Sequence, residues 1–162
     1  MILPEFPAYS RVWIFGSQRI LSRAEQLTLS HQMEEFVGGW QAHGNTLTAG
    51  FELLYGCLLL LAVDEKQELP SGCSIDKIFN VLRLQNELFG VDFFQRKLVW
   101  VCKDNVVQVL TEIQATEHYQ NKKLLPDNLV INTAILNLGE ARINLLHKFS
   151  HNWLGKKLAF KK

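Results

Sequence analysis

The sequence predicts an α+β domain with a ferredoxin-like β-α-β-β-α-β core, an antiparallel sheet with both helices on one face, and a C-terminal hairpin and helix extension. Three observations predict it. Four stretches (residues 11–15, 46–55, 58–63 and 97–102) carry β-branched, aromatic or alternating apolar residues, as strands do. Two longer stretches, one after the first strand and one after the third, repeat apolar residues at helical spacing. The links between them are short, so consecutive elements should lie side by side.

Residues 1–10 contain Pro4 and Pro7 and read as an extended lead-in. R-V-W-I-F (residues 11–15) is the first strand, and Gly16-Ser17-Gln18 turns the chain. Ser22 and Glu25 have capping-box spacing. Ala24, Leu27, Met33, Phe36, Val37 and Trp40 then mark a helix running to about His43. Leu47, Ala49, Phe51, Leu53 and Tyr55 share one face of a half-buried strand. Residues 58–63 are continuously apolar, as in a strand covered on both faces. The link Tyr55-Gly56-Cys57 makes these two a hairpin. A second helix should start near Ser74 and end at Gly90, with Ile75, Ile78, Phe79, Leu82, Leu88 and Phe89 on its apolar side. Residues 97–102 form the fourth strand, and 106–110 pair back on it. A third helix is expected within 111–123 and a short strand within 124–133, with some helix after 139.

The chain has 162 residues, of which 48% are hydrophobic and 20% charged. That is globular composition, and a chain of this size buries about 69% of its surface without disulfides. One domain over 1–162 is expected: a lead-in at 1–10, a core at 11–102 and an extension at 103–162. The net charge of +1 gives no global pull toward nucleic acid. The N-terminus lacks a signal-peptide pattern, and the longest apolar run, 57–63, is too short to span a bilayer. A cytoplasmic protein with no membrane partner is expected. Cys57, Cys73 and Cys102 are odd in number and widely spaced, which suits neither a disulfide framework nor a zinc site. No metal and no cofactor is expected.

The most informative segment is Ser71-Gly72-Cys73-Ser74-Ile75-Asp76-Lys77. Gly72 allows an unusual backbone angle, Ser74 could cap the helix, and free N–H groups at a helix start attract anions. A cysteine there would be a more reactive thiolate, with Asp76 or Lys77 assisting. The plainer reading is a capped helix with Cys73 as a small buried residue. Trp40 and His43 should reach the same rim, with Cys102-Lys103 close by, and a Cys73–His43 pair would activate a thiol. Ligand-binding candidates are therefore Ser71, Gly72, Cys73, Ser74, Lys77 and Trp40. Catalytic candidates are Cys73, Asp76 and His43. His147 and His151 stand four apart, a spacing that puts both on one helix face. Too few further ligands surround them for a metal, and they read as solvent-facing. Between Ala141 and Lys162 there are six Arg or Lys and no Asp or Glu, a basic end with Phe149, Trp153 and Phe160.

R-V-W-I-F, W-Q-A-H (residues 40–43), A-V-D-E (residues 62–65) and above all S-G-C-S-I-D-K (residues 71–77) together give the chain a resemblance. It resembles a family of short bacterial proteins of uncharacterised activity, over roughly 10–135 and best over 11–102. The resemblance implies a C-terminal Ser-Trp-His-type motif, whose place Asn152-Trp153-Leu154 holds here. Family members bear the label ABC transporter ATPase. No G-x-x-x-x-G-K-[ST] loop occurs in this chain, so that activity does not carry over. No complete catalytic set emerges from motif spacing. The expected function is non-catalytic binding of a partner protein, a second copy of the chain or a small anionic ligand. The alternatives are a small enzyme with a Cys73 nucleophile and an RNA-binding accessory domain using the basic C-terminus, nucleic acid being the less favoured partner.

Overall fold

A computed structural model describes residues 1–160. The chain is α+β with antiparallel sheets, and its layers follow from where the apolar side chains fall. Strand β1 (Arg11–Gly16) leads into helix α1 (Arg23–Gly38). The small hairpin β2 (Gln41–Ala42) and β3 (Asn45–Thr46) follows, then β4 (Ala49–Leu54) and β5 (Leu58–Val63). Helix α2 spans Gly72–Phe89. Strands β1, β5 and β4 form the first sheet, in that order. Its middle strand β5 buries all six side chains completely, as a strand between two layers must. Each such leucine contributes about 1.5–3 kcal/mol relative to exposure. Leu59, Leu61 and Val63 face α1 and α2, joined by Leu29 and Met33 from one helix and Ile78 and Leu82 from the other. Both helices thus cover one face, as expected.

The fourth core strand does not join this sheet. Strand β6 (Leu98–Lys103) pairs instead with β7 (Val106–Thr111) and β8 (Leu129–Ile131), and β9 (Leu146–Lys148) pairs with β8. The expected single four-stranded ferredoxin-like sheet is therefore two sheets. The reason lies at the free edge of β1. Val12 N–H donates to Leu136 C=O (3.0 Å) and Leu138 N–H to Ser10 C=O (2.9 Å), so residues 136–138 already occupy the edge that β6 would need. β6 lies across the other face of the first sheet. Leu98, Trp100 and Cys102 pack with Leu58, Leu60 and Ala62, while Val99 turns outward toward Val130 and Phe149. Gly16 makes the close approach possible, because a Cβ there would stand 2.3 Å from the Trp100 ring. The indole N–H of Trp100 donates to Ser17 C=O at 3.1 Å across the two sheets.

Helices α3 (Glu112–Gln120) and α5 (Trp153–Ala159) cover the outer face of the second sheet, through Ala115, Leu154 and Leu158. Helix α4 (Leu138–Asn144) closes the side of the inter-sheet core through Leu138 and Ala141. Its Arg142 donates to the backbone carbonyls of Ile2, Leu3 and Phe6, fastening the N-terminal segment. The result is four layers: helices, sheet, sheet, helices.

Several local details differ from expectation. The strand expected over 46–55 is confined to Ala49–Leu54, because Asn45–Thr46 pairs in the β2–β3 hairpin. Helix α2 starts at Gly72 rather than near Ser74, because Ser71 is its cap. Helix α1 ends at Gly38, not near His43, because Gly38-Gly39 has no side chain to hold a further turn. The chain then makes the β2–β3 hairpin, whose two-residue turn uses His43 (φ 52°) and Gly44 (φ 85°), the left-handed pair such a turn needs. In α2 the buried face is Ser74, Ile78, Leu82, Gln85 and Phe89, which leaves Leu88 exposed. No helix among the described residues is long and apolar enough to cross a membrane.

Candidate functional site

The start of α2 is built to close on itself. Ser71, not Ser74, is the N-cap: its hydroxyl accepts from Ser74 N–H at 3.1 Å. Ser74 is buried, and its own hydroxyl donates to Ser71 C=O at 2.7 Å. Trp40 is buried as well, and its indole N–H donates to Ser74 C=O at 2.8 Å. Trp40 and Ser74 are thus brought together as expected, but as packing partners. Gly72 has an ordinary backbone angle and open space around it, so nothing there requires glycine. Cys73 is exposed rather than buried, and it lines none of the hollows described below. Asp76 and His43 are exposed too, and no hydrogen bond joins either of them to Cys73 among the described residues. Cys102 lies in the inter-sheet core, across the first sheet from the α1–α2 layer, so it shares no rim with Cys73. Lys77 faces a shallow groove of about 360 Å³ between α1 and α2, together with Phe36, Trp40 and Val81.

The largest hollow, about 690 Å³, lies by the β6–β7 turn. Its lining mixes Lys103 and Lys123 with Asp104, so it has no single electrostatic character. A third hollow, about 480 Å³, does. It is lined by Asn132 and Thr133 after β8, His147 on β9, and His151, Asn152, Trp153 and Lys156 around the start of α5. Among the described residues no carboxylate belongs to it. Pairing of β8 with β9 sets His147 opposite Val130, two residues from Asn132. A 3-10 turn, Phe149–His151, then carries the chain to Asn152, whose side chain caps α5 by accepting from Leu154 N–H at 3.0 Å. The two histidines therefore do not share a helix face, yet they line one cleft.

Three buried side-chain polar atoms among the described residues lack a partner: Ser10 Oγ, Gln85 Oε1 and His147 Nε2. Only His147 also lines a hollow. Leaving such a group unpaired costs about 1–3 kcal/mol, so it calls for an ordered water, a ligand or an ion beside it. Burial, followed by the nearby charges of His151 and Lys156, holds the His147 imidazole below its ordinary value of 6.5. The cleft is therefore a place of positive potential with a neutral imidazole in its wall.

Three of the four described basic residues of the C-terminal end are already engaged elsewhere. Lys148 pairs with Asp127 at 2.7 Å and Lys157 with Glu112 at 2.6 Å, while Arg142 serves backbone carbonyls. Lys156 has no such partner among the described residues and faces the cleft. Lys161 and Lys162 lie outside the described residues. Among the described residues no three His, Cys, Asp or Glu stand close enough to hold a metal ion. The histidine spacing and the basic end with Trp153 were the sequence signals for this cleft. Asn132 and Thr133 carried none, because strand pairing rather than local spacing delivers them. No family model, curated protein or solved structure matches the chain.

Proposed function

We propose that this chain is a non-catalytic binding domain whose ligand is a small anion, held in the cleft between β9 and the start of α5. The observation that carries the reading is the buried, unpartnered Nε2 of His147 in a cleft with Lys156 and no carboxylate. Lys156 supplies the fixed charge. His151 and the amide of Asn132 supply further polar contacts. An anion seated there raises the proton affinity of the His147 imidazole, so it creates part of its own counter-charge. The Cys73 enzyme reading has no base beside the thiol to support it. The RNA reading loses Lys148, Lys157 and Arg142 to intramolecular partners. Three free thiols support a reducing compartment such as the cytoplasm. The S-G-C-S-I-D-K segment supports membership of the bacterial family it resembles, with a structural role as the cap of α2.

Calorimetric titration with inorganic phosphate tests the reading. Lys156→Ala and His151→Ala should each weaken binding about tenfold or more, and Lys103→Ala should leave it unchanged. Absence of phosphate binding, or equal weakening by Lys103→Ala, would overturn the proposal.

A further inference from the structure

The anion cleft has a neighbour. A smaller hollow of about 260 Å³ shares Thr133 and Trp153 with it and continues toward the loop after α2. We propose that the anion is the phosphate of a mononucleotide, whose base lies against Trp153 in this second hollow; the proposal rests on the anion reading of the first.

Three observations carry it. Trp153 is 40% exposed and lines both hollows. Among the described residues it pairs with no other ring, whereas Trp13, Trp40, Phe15, Phe36, Phe79 and Phe94 all do. Gln95 and Arg96, both exposed, also line the second hollow, and Arg96 forms no ion pair among the described residues. An amide and a guanidinium offer donors and an acceptor to the polar edge of a base. Neither hollow has a carboxylate in its lining. One charged hollow beside one small aromatic hollow suits one phosphate and one ring. The charged hollow, at about 480 Å³, lies in the range of small-ligand sites, about 300–1,000 Å³, and the aromatic one, at about 260 Å³, adds a ring-sized annex just below it. A longer nucleic acid would need a track of free cations, and the nearby Lys97, Lys148 and Lys157 are paired with Glu112 and Asp127.

The test compares adenosine 5′-monophosphate, ribose 5-phosphate and inorganic phosphate by calorimetry on the whole chain. Stacking on Trp153 should make the nucleotide bind about 5- to 150-fold more tightly than ribose 5-phosphate. Trp153→Leu should collapse that ratio toward one, and Trp153→Phe should keep most of it. Equal affinities of the wild-type chain for the nucleotide and the sugar phosphate would overturn the nucleotide proposal and leave the anion reading standing. Tighter binding of an eight-residue oligoadenylate than of the mononucleotide would also overturn it. Failure of all three probes to bind would remove both readings.

Discussion

Replacing Gly16 by alanine probes the face-to-face seating of the two sheets at its narrowest point. The added Cβ would stand 2.3 and 2.8 Å from two atoms of the Trp100 ring and 2.9 Å from Leu58 Cδ2. Ordinary contact begins near 3.4 Å, so the indole must retreat by about 1 Å. That movement also stretches its bond to Ser17 C=O, now 3.1 Å, past useful length. Overpacking of this kind costs about 1–3 kcal/mol, and a broken buried hydrogen bond costs a comparable amount. A total of about 3 kcal/mol corresponds to about 6–12 °C in Tm for a chain of this size. Urea melts followed by tryptophan fluorescence measure it. Gly38→Ala is the control: nothing lies within 4 Å of its Cβ, and better helix propensity should leave stability unchanged or raised by up to about 1 kcal/mol. A Gly16→Ala loss below about 0.5 kcal/mol would refute the packing of β6 on β1.

Other perturbations have equally definite outcomes. Ser71→Ala should cost about 1 kcal/mol in denaturant melts and Ser74→Ala no more than that, since Ser71 is the cap. Phe79 is half-buried but stacks on Phe94 at 5.3 Å and meets Phe15 edge-on at 5.7 Å, so Phe79→Ala should cost about 2–3 kcal/mol, below the full-burial range. Native-state alkylation should modify the exposed Cys73 readily and spare Cys57, whose thiol burial pushes up to about 12; fast labelling of Cys57 would contradict its place in the core. Arg19 first, and then the Ser22 backbone N–H, hold the Glu25 carboxyl down at about 2. A depressed carboxylate stabilises the fold above its ordinary value of 4.5, and that contribution is lost as pH falls toward 2. Glu25→Gln should flatten this part of an acid titration of stability.

Local patterns reported most of the fold. The capping box at Ser22 and Glu25 forms as spaced, with Glu25 N–H donating to Ser22 Oγ at 3.3 Å. The alternation of β4 and the continuous apolar run of β5 placed both strands and their pairing. The partner of β6 was not legible, because L-V-W-V-C suits any strand covered on both faces. What decided it was residues 136–138, distant in sequence, taking the edge of β1. The candidate site failed for a related reason. S-G-C-S-I-D-K advertised a helix start, and there the Ser71 hydroxyl caps Ser74 N–H while the Ser74 hydroxyl turns back to Ser71 C=O, so both hydroxyls are used within the turn. His147 and His151 showed the right proximity through the wrong geometry: a strand and a 3-10 turn, not a helix, bring them to one cleft.

The most direct test of the anion cleft is imidazole NMR of the five histidines during a titration with sulfate, whose charge does not change near neutral pH. Without anion, His147 should titrate below 6.5. With sulfate bound, the His147 and His151 resonances should shift and the His147 imidazole should titrate at higher pH, so that affinity rises as pH falls, by at most about tenfold per pH unit for the proton taken up. His31, His43 and His118 should not respond. A uniform response of all five histidines, or a His147 that titrates identically with and without sulfate, would contradict the account.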